Sequence, residues 1–402
     1  MKKNINVREL LNVIPSDLLS NLSLETNVDH YVKVLSGQKL FYLLLFGILE
    51  NDRLSQRSLE DTFNDKFFKI LFSLDQNETI RRSSLSERLT RVNVDFFRQI
   101  YETLYANFSQ LHTQEEIENV NLIPVDSTLI SGFAKRMSQG FSLNSDKIKF
   151  IKYTVAFDGS LPCDVKLFTE ETHCSENICL PDVVLNCAGK NNNSRDLYLI
   201  DRGMQSLKRM VEFKENNIEF VVRSNANRKH VVLESYDIPN PEHGDYLIVK
   251  DSKVHLYGRD CDFTERSKST RQTLIKEPFR LVIIRHKQEE SKEIWFISNN
   301  FELSANDIAS AYKYRWNIEV FFRFIKQELN TKHLLSLNNN GIEVVLYMTL
   351  IASILLMIYK KQNKNIGYKT AKRRFLKELR DLIIELIITQ CGGDPKLYRL
   401  LI

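Results

Sequence analysis

Two short apolar runs, Leu122-Ile123-Pro124-Val125 and Leu197-Tyr198-Leu199-Ile200, each stop on an aspartate, Asp126 and Asp201. Apolar runs this short, bounded by polar residues, read as buried strands. A carboxylate at the end of such a strand projects into the crevice beyond the sheet, where ligands bind in open α/β folds. Two such carboxylates can share a hard cation such as Mg²⁺, which takes oxygen ligands. For either aspartate alone, a polar residue closing a strand before a turn is the simpler account.

The flanking segments place these runs in an α/β pattern. Residues 150–157 and 163–168 are β-rich, and Asp158-Gly159-Ser160 between them is a turn signal, so they predict a hairpin. Residues 178–187 and 204–216 read as helices, and 218–223 as a further strand. The order β, hairpin, α, β, α, β is that of an α/β fold. Residues 226–300 then turn nearly all-β, with strand signals at 231–234, 246–249, 254–257, 279–284 and 293–297, and predict a β-rich insertion.

Both ends of the chain read as helical. Residues 31–48 carry apolar side chains at mixed three- and four-residue spacing. Ser84 and Glu87 have capping-box spacing, and two short helices over 83–104 form either a helix-turn-helix-like unit or a plain bundle. Arg81, Arg82, Arg88 and Arg91 are candidates there for phosphate or base contact, or simply solvated surface. The longest apolar stretch, 344–359, lies between Glu343 and Lys360. It falls short of the ~18 residues of a membrane span and predicts a buried core helix. The basic run from Lys360 to Arg380 is a solvated helix face or a surface for non-specific phosphate contact. Asn191 to Asn193 and Asn338 to Asn340 read as polar loops.

Composition narrows the class. With 43% hydrophobic and 27% charged residues, the chain is neither disordered nor fibrous. A net charge of +5 permits an acidic partner without demanding one. Six unevenly spaced cysteines do not form a disulfide framework. Lys2 and Lys3 are followed by Asn4, Asn6, Arg8 and Glu9 instead of an apolar export segment, so a cytoplasmic location is expected.

The stretch from Ser304 to Asn330 carries the sharpest signal. Tyr312, Arg315, Glu319 and Lys326 fall at helical angles of about 0°, 300°, 340° and 320°, a single face about 60° wide. Arg323 and Trp316 border that face, near about 20° and 40°. Tyr314, Ile318, Phe321, Phe322, Ile325 and Leu329 make a separate apolar face. Pairing of Glu319 with Arg315 or Arg323 on a solvated surface would explain the charges. It would not explain the large aromatics Tyr312 and Trp316 among them.

The spacing Tyr312-x2-Arg315-x3-Glu319-x6-Lys326 resembles the signature of bacterial insertion-sequence transposases of the DDE type, family four. At roughly 5% per residue type, four fixed positions match by chance about once in 10⁵ placements. Tyr314-Arg315-Trp316-Asn317-Ile318-Glu319 looks like the family's wording around its glutamate. Pro124-Val125-Asp126-Ser127-Thr128 and Ile200-Asp201-Arg202-Gly203-Met204 are similar to its two aspartate segments. The likeness covers roughly residues 120–360.

The resemblance implies an RNase H-like catalytic core with Asp126, Asp201 and Glu319 as the triad holding two Mg²⁺ ions, replaceable by Mn²⁺. It implies a helical DNA-end-binding domain over 1–115, core over 116–225 and 301–335, a β-rich insertion over 226–300 and a C-terminal helical region over 336–402. It implies binding of terminal inverted repeats and target DNA by a homodimer, with no membrane involvement. Cleavage passes through a hairpin intermediate in such family members, and strand transfer follows. Arg315 and Lys326 would then contact DNA phosphates, with Tyr312, Arg323 and Arg202 beside them, and Trp316 would stack on an unpaired base.

Other chemistries lack support. His173, Cys174, Cys179 and Cys187 lack the paired spacing of a zinc site, and His173 could instead stand behind the active site. No phosphate-binding glycine loop, dinucleotide turn or nucleophile elbow is present. Two other readings remain open: an RNase H-like nuclease without strand transfer, and a DNA-binding protein that has given up catalysis.

Overall fold

The computed structural model describes residues 6–51, 53–109, 116–117, 120–133, 137, 139–143, 147–190, 195–258, 272–289, 291–329, 331, 334–364 and 367–400. Asn191 to Asn193 and Asn330 lie outside the described residues. The chain forms two compact units, one drawn from His112–Leu129 and Phe150–Phe322, the other from Met1–Leu111, Ile130–Lys149 and Arg323–Ile402.

The first unit is built on one mixed sheet. Its main strands are β1 (Val120–Phe133), β2 (Ile148–Phe157), β3 (Pro162–Phe168), β4 (Asp196–Ile200), β5 (Glu219–Ser224), β6 (His230–Ser235), β7 (Tyr246–Gly258), β8 (Thr273–His286) and β9 (Glu293–Ser298). They lie in the order β3-β2-β1-β4-β5-β9-β8-β7-β6. β2 and β3 are an antiparallel hairpin, as the sequence predicts. Asp158 closes it, its carboxylate accepting the backbone N–H groups of Ser160 at 2.9 Å and Leu161 at 2.6 Å, while Gly159 takes a φ of +80°. β4 pairs in parallel with β1 and with β5. β9 joins β5 antiparallel, and β8, β7 and β6 follow antiparallel.

Among the described residues four α-helices and a 3-10 turn (Glu171–Cys174) complete this unit's connections: α1 (Glu176–Lys190), α2 (Leu207–Glu215), α3 (Ala305–Tyr314) and α4 (Trp316–Glu328), the last running on into the second unit. α3 starts on a capping box in which Ser304 and Asp307 satisfy each other's backbone N–H. Its Ile308, Ala309 and Ala311 bury against Leu122, Leu197, Leu199, Val221, Val282 and Phe296 of the sheet. Truncating one of these larger side chains costs about 2–5 kcal/mol, so the strand ends beneath are held firmly.

Two sequence expectations change here. Residues 246–249 and 254–257 are not separate strands; they belong to the single strand β7. The polar residues between them, Asp251 and Ser252, are buried within it. The helix expected over 304–330 is also divided: α3 ends at Tyr314 and α4 starts at Trp316, with Arg315 between them.

The second unit is helical. Its centre is Asn339–Gln362, flanked by Gly37–Glu50, Arg82–Arg91, Val94–Ser109 and Tyr368–Gln390. The apolar stretch expected as a short core helix is longer than predicted, a 24-residue helix. Length and apolarity alone would let it cross a membrane, but 89% of its apolar window is buried. Asn339 and Asn340 form the start of this helix, capped by Asn338, instead of lying in a loop, and the Asn340 amide donates to the carbonyls of Leu89 and Val92.

Ser84 is not a cap, because its helix begins at Arg82 with no side-chain cap. Arg88 is not a surface arginine either. It donates to the carbonyls of Leu35 at 3.0 Å and Val28 at 2.8 Å and pairs with Asp29 at 3.5 Å. Arg81, Arg82 and Arg91 are exposed. The basic run is not one solvated face: Lys372 is buried and donates to the Glu328 carbonyl at 2.7 Å.

Candidate active site

The parallel register of β1 and β4 sets Val125 opposite Ile200, so the next residues, Asp126 and Asp201, emerge side by side. The third carboxylate arrives from the far side of the α3–α4 junction. Arg315 ends α3 in helical conformation, φ −53° and ψ −29°, its N–H donating back to the Tyr312 carbonyl at 3.2 Å. This tight turn keeps Tyr312, Arg315 and Glu319 on one side. The junction is anchored from both ends. The Tyr312 ring packs on Phe296 of β9 at 4.8 Å, and the Phe321 ring of α4 stacks on Phe157 of β2 at 5.2 Å.

Arg315 is the hub. Its Nη2 donates to Glu319 Oε1, its Nη1 lies 3.9 Å from Asp126 Oδ2, and its Nε lies 4.0 Å from Asp201 Oδ1. The residue is 8% exposed, and among the described residues its Nε has no hydrogen-bond acceptor. The Tyr312 hydroxyl donates to Asp201 Oδ1 at 2.9 Å. Side chains from two strands and the helix junction therefore converge on one guanidinium.

The two aspartates are tuned apart. Burial pushes the Asp126 carboxyl up to about 7, reinforced by the nearby Glu176 and Asp201 charges and opposed by the Ser127 N–H and Arg315. Burial also pushes Asp201 upward. There the Arg202 N–H, the Arg315 guanidinium and the Tyr312 hydroxyl outweigh it and leave the carboxyl below its usual range. Burial, followed by the Asp201 charge, raises the Tyr312 hydroxyl, so it remains a donor.

Asp126, Asp201, Glu319, Tyr312 and Arg315 are thus brought together. Trp316 is 53% exposed, and Arg202 is exposed. Arg323, exposed, and Lys326, half-buried, lie further along α4 in its second-unit portion. Sequence reasoning missed Glu176, the first residue of α1, and Arg223 of β5, whose charges act on the aspartates. Arg223 meets Asp201 through the parallel register, in which Val222 pairs with Ile200 and the next residues are Arg223 and Asp201, and the sequence alone does not give that register. Glu176 had no signal to mark it among its acidic neighbours Glu170 and Glu171.

As a donor set, three carboxylates offer hard oxygens and negative charge, which suit Mg²⁺ or Mn²⁺. Among the described residues no three such side chains already close on one point, because the guanidinium stands between them. The cysteines of α1 have partners of their own, Cys179 beside the Asp126 segment. Cys187 Sγ lies 3.7 Å from Cys163 Sγ, Cys179 Sγ lies 3.7 Å from Ser127 Oγ, and His173 stacks on Phe168.

Comparison with known proteins adds a family. The transposase DDE domain model matches residues 121–355, a span that contains all three carboxylates. A putative transposase for insertion sequence element IS4SA from Synechocystis sp. is 25% identical over 331 residues, covering 81% of this chain and 82% of the relative. A probable transposase for insertion sequence element IS5377 from Geobacillus stearothermophilus is 29% identical over 188 residues, 46% of each chain. Among solved structures, a piggyBac transposase synaptic complex with hairpin DNA aligns with a TM-score of 0.48 at 14% identity, over 95% of this chain and 81% of that one.

Proposed function

Because the chain belongs to the family defined by the transposase DDE domain, we propose that Asp126, Asp201 and Glu319 are its catalytic triad. In this reading the protein binds the inverted-repeat ends of its own insertion sequence, cuts them and joins them to target DNA. The observation that carries the proposal is the convergence of these three carboxylates on Arg315. The Tyr312, Arg315, Glu319 and Lys326 spacing supports a place in insertion-sequence family four. The strand order β3-β2-β1-β4-β5, with β4 parallel to both β1 and β5, supports an RNase H-like core. The strands β6 to β9 then belong to the insertion side of that core. The helical segment 1–115 would bind DNA ends, the active form would be a homodimer, and the setting would be the bacterial cytoplasm.

The triad would hold two divalent cations, Mg²⁺ or Mn²⁺, which when bound activate the attacking oxygen and stabilise the leaving one. The chain's own residues do the rest. Tyr312 keeps Asp201 oriented by donating to it, and burial limits water around Asp126. Arg315 supplies a planar fork suited to a DNA phosphate. Lys326, Arg323 and Arg202 add positive charge for the backbone, and the exposed Trp316 offers a ring for an unpaired base.

The test is Mg²⁺-dependent cleavage of DNA carrying the element's own ends, by wild type and Glu319→Gln. Wild type should nick at the ends. The variant should lose at least about 100-fold, since even groups that only support a metal ligand are worth 10–100-fold. Wild type that binds the ends but never cuts them with Mg²⁺ or Mn²⁺ would leave a DNA-binding protein without catalysis.

A further inference from the structure

The segment after Asp201 is braced through Gln205. Asn177 of α1 accepts the backbone N–H groups of Gln205 at 2.7 Å and Ser206 at 2.9 Å. The Gln205 side-chain nitrogen lies 2.9 Å from the carbonyls of Arg202 and Arg223 and 3.0 Å from that of Met204, which ties the segment to β5. The connection from β5 to β6 turns at Asn227, whose φ of +65° is one that asparagine tolerates. The turn brings Arg228 onto the same glutamine. Its Nη1 donates to Gln205 Oε1 at 3.3 Å and its Nη2 to the Gln205 carbonyl at 3.0 Å.

Both acceptors are neutral. Arg88, Arg209, Arg280 and Arg315 each have a carboxylate within 4 Å. Among the described residues Arg228 has none, and burial alone acts on its charge, lowering the guanidinium to about 10, so it stays charged at neutral pH. A half-buried cation without a counter-charge costs solvation that two neutral acceptors offset only in part. Arg202 and Arg223 add positive charge one hydrogen bond away, through Gln205. The two bonds to Gln205 leave further N–H donors of the planar fork for an anion. We propose that Arg228 binds a backbone phosphate of the DNA strand that enters beside Asp201. This inference rests on the transposase reading above. It adds a contact from the connection between β5 and β6, which the helical signature does not include.

The experiment is binding of the full chain to a duplex carrying the element's own end, without divalent cations and over a range of salt. Wild type, Arg228→Gln and Arg228→Lys are compared, and the melting temperatures of the free proteins are read alongside. Arg228→Gln should bind about tenfold more weakly. It should also reduce the slope of log affinity against log salt by about 1, and Arg228→Lys, which keeps the charge, should restore that slope. Free Arg228→Gln should melt no lower than wild type, because it removes an uncompensated charge. Unchanged affinity and slope in Arg228→Gln, with wild type still binding and cutting the ends, would overturn the inference and leave the transposase reading standing. A lower melting temperature with an unchanged slope would also overturn it, since that is the mark of a brace for Gln205 alone. Failure of wild type to bind the ends would overturn both.

Discussion

Two arginines buried in the α/β unit face opposite situations. Arg280 of β8 meets one carboxylate: Nε and Nη2 donate to the two oxygens of Asp251 at 2.9 and 2.7 Å, and Nη1 donates to the Leu303 carbonyl. Arg315 meets three carboxylates, bonds closely to one, stands about 4 Å from the others and leaves its Nε unmatched. The first arrangement is closed, with charge and donors satisfied in place. The second is oversupplied with negative charge and undersupplied with geometry.

The largest expected effect tests the closed pair. Asp251→Asn removes the counter-charge of a buried guanidinium and should destabilise the protein by about 3–5 kcal/mol, read as a lower melting temperature. The double variant Arg280→Met with Asp251→Leu should recover most of that loss, because an apolar pair of similar size needs no desolvation. A double variant as unstable as the single would mean that Arg280 does more than balance Asp251, and the comparison would break.

The next effect belongs to the open cluster. Asp126 has a folded-state pKa of about 7 against an ordinary 3.8, chiefly from burial. Between these values the folded protein keeps a proton that the unfolded chain has released. Stability of the metal-free protein should therefore fall as pH rises through that window and level off above it. Urea unfolding at pH 5 and pH 8 should differ by about 1–3 kcal/mol, discounting for partial exposure. Asp126→Asn should flatten the difference. Asp201, held low, contributes in the other sense, and its part is lost only in acid, as pH falls through its depressed pKa. An unchanged slope in Asp126→Asn would place the titrating group elsewhere.

The closed pair and the open cluster were unequally legible in the sequence. The open one announced itself through two aspartates that each follow a short apolar run and a helical face carrying tyrosine, arginine and glutamate. Only Asp201 follows the end of its strand, while Asp126 lies inside β1, which continues to Phe133. The parallel register that sets Val125 beside Ile200 is what makes those signals meet, and strand spacing alone does not give it. The closed pair misled. Asp251 and Ser252 fall between two strand signals and interrupt an apolar run, and the burial of Asp251 depends on Arg280, 29 residues away. The break at Arg315 was invisible for a similar reason: its backbone stays helical, and what divides the helix is how each half packs. Glu176 was hidden because Asn177, Gln205 and Ser206 meet only in the fold.

The smallest effect separates two accounts of Arg315 itself. If the guanidinium is a resident cation that stands in the carboxylates' field until a phosphate draws it away, removing it leaves the oxygens more attractive to a divalent ion. Arg315→Met should then bind Mn²⁺ several-fold more tightly than wild type in the absence of DNA, a gain of about 1 kcal/mol, while losing affinity for the DNA ends. If Arg315 instead props the three carboxylates into place, the same variant should bind Mn²⁺ more weakly, because Asp126, Asp201 and Glu319 would drift apart. The sign of the change in a titration calorimeter decides between them. The closed pair supplies the control: Arg280→Met with Asp251→Leu should leave Mn²⁺ affinity where it was, since neither residue belongs to the cluster around Arg315.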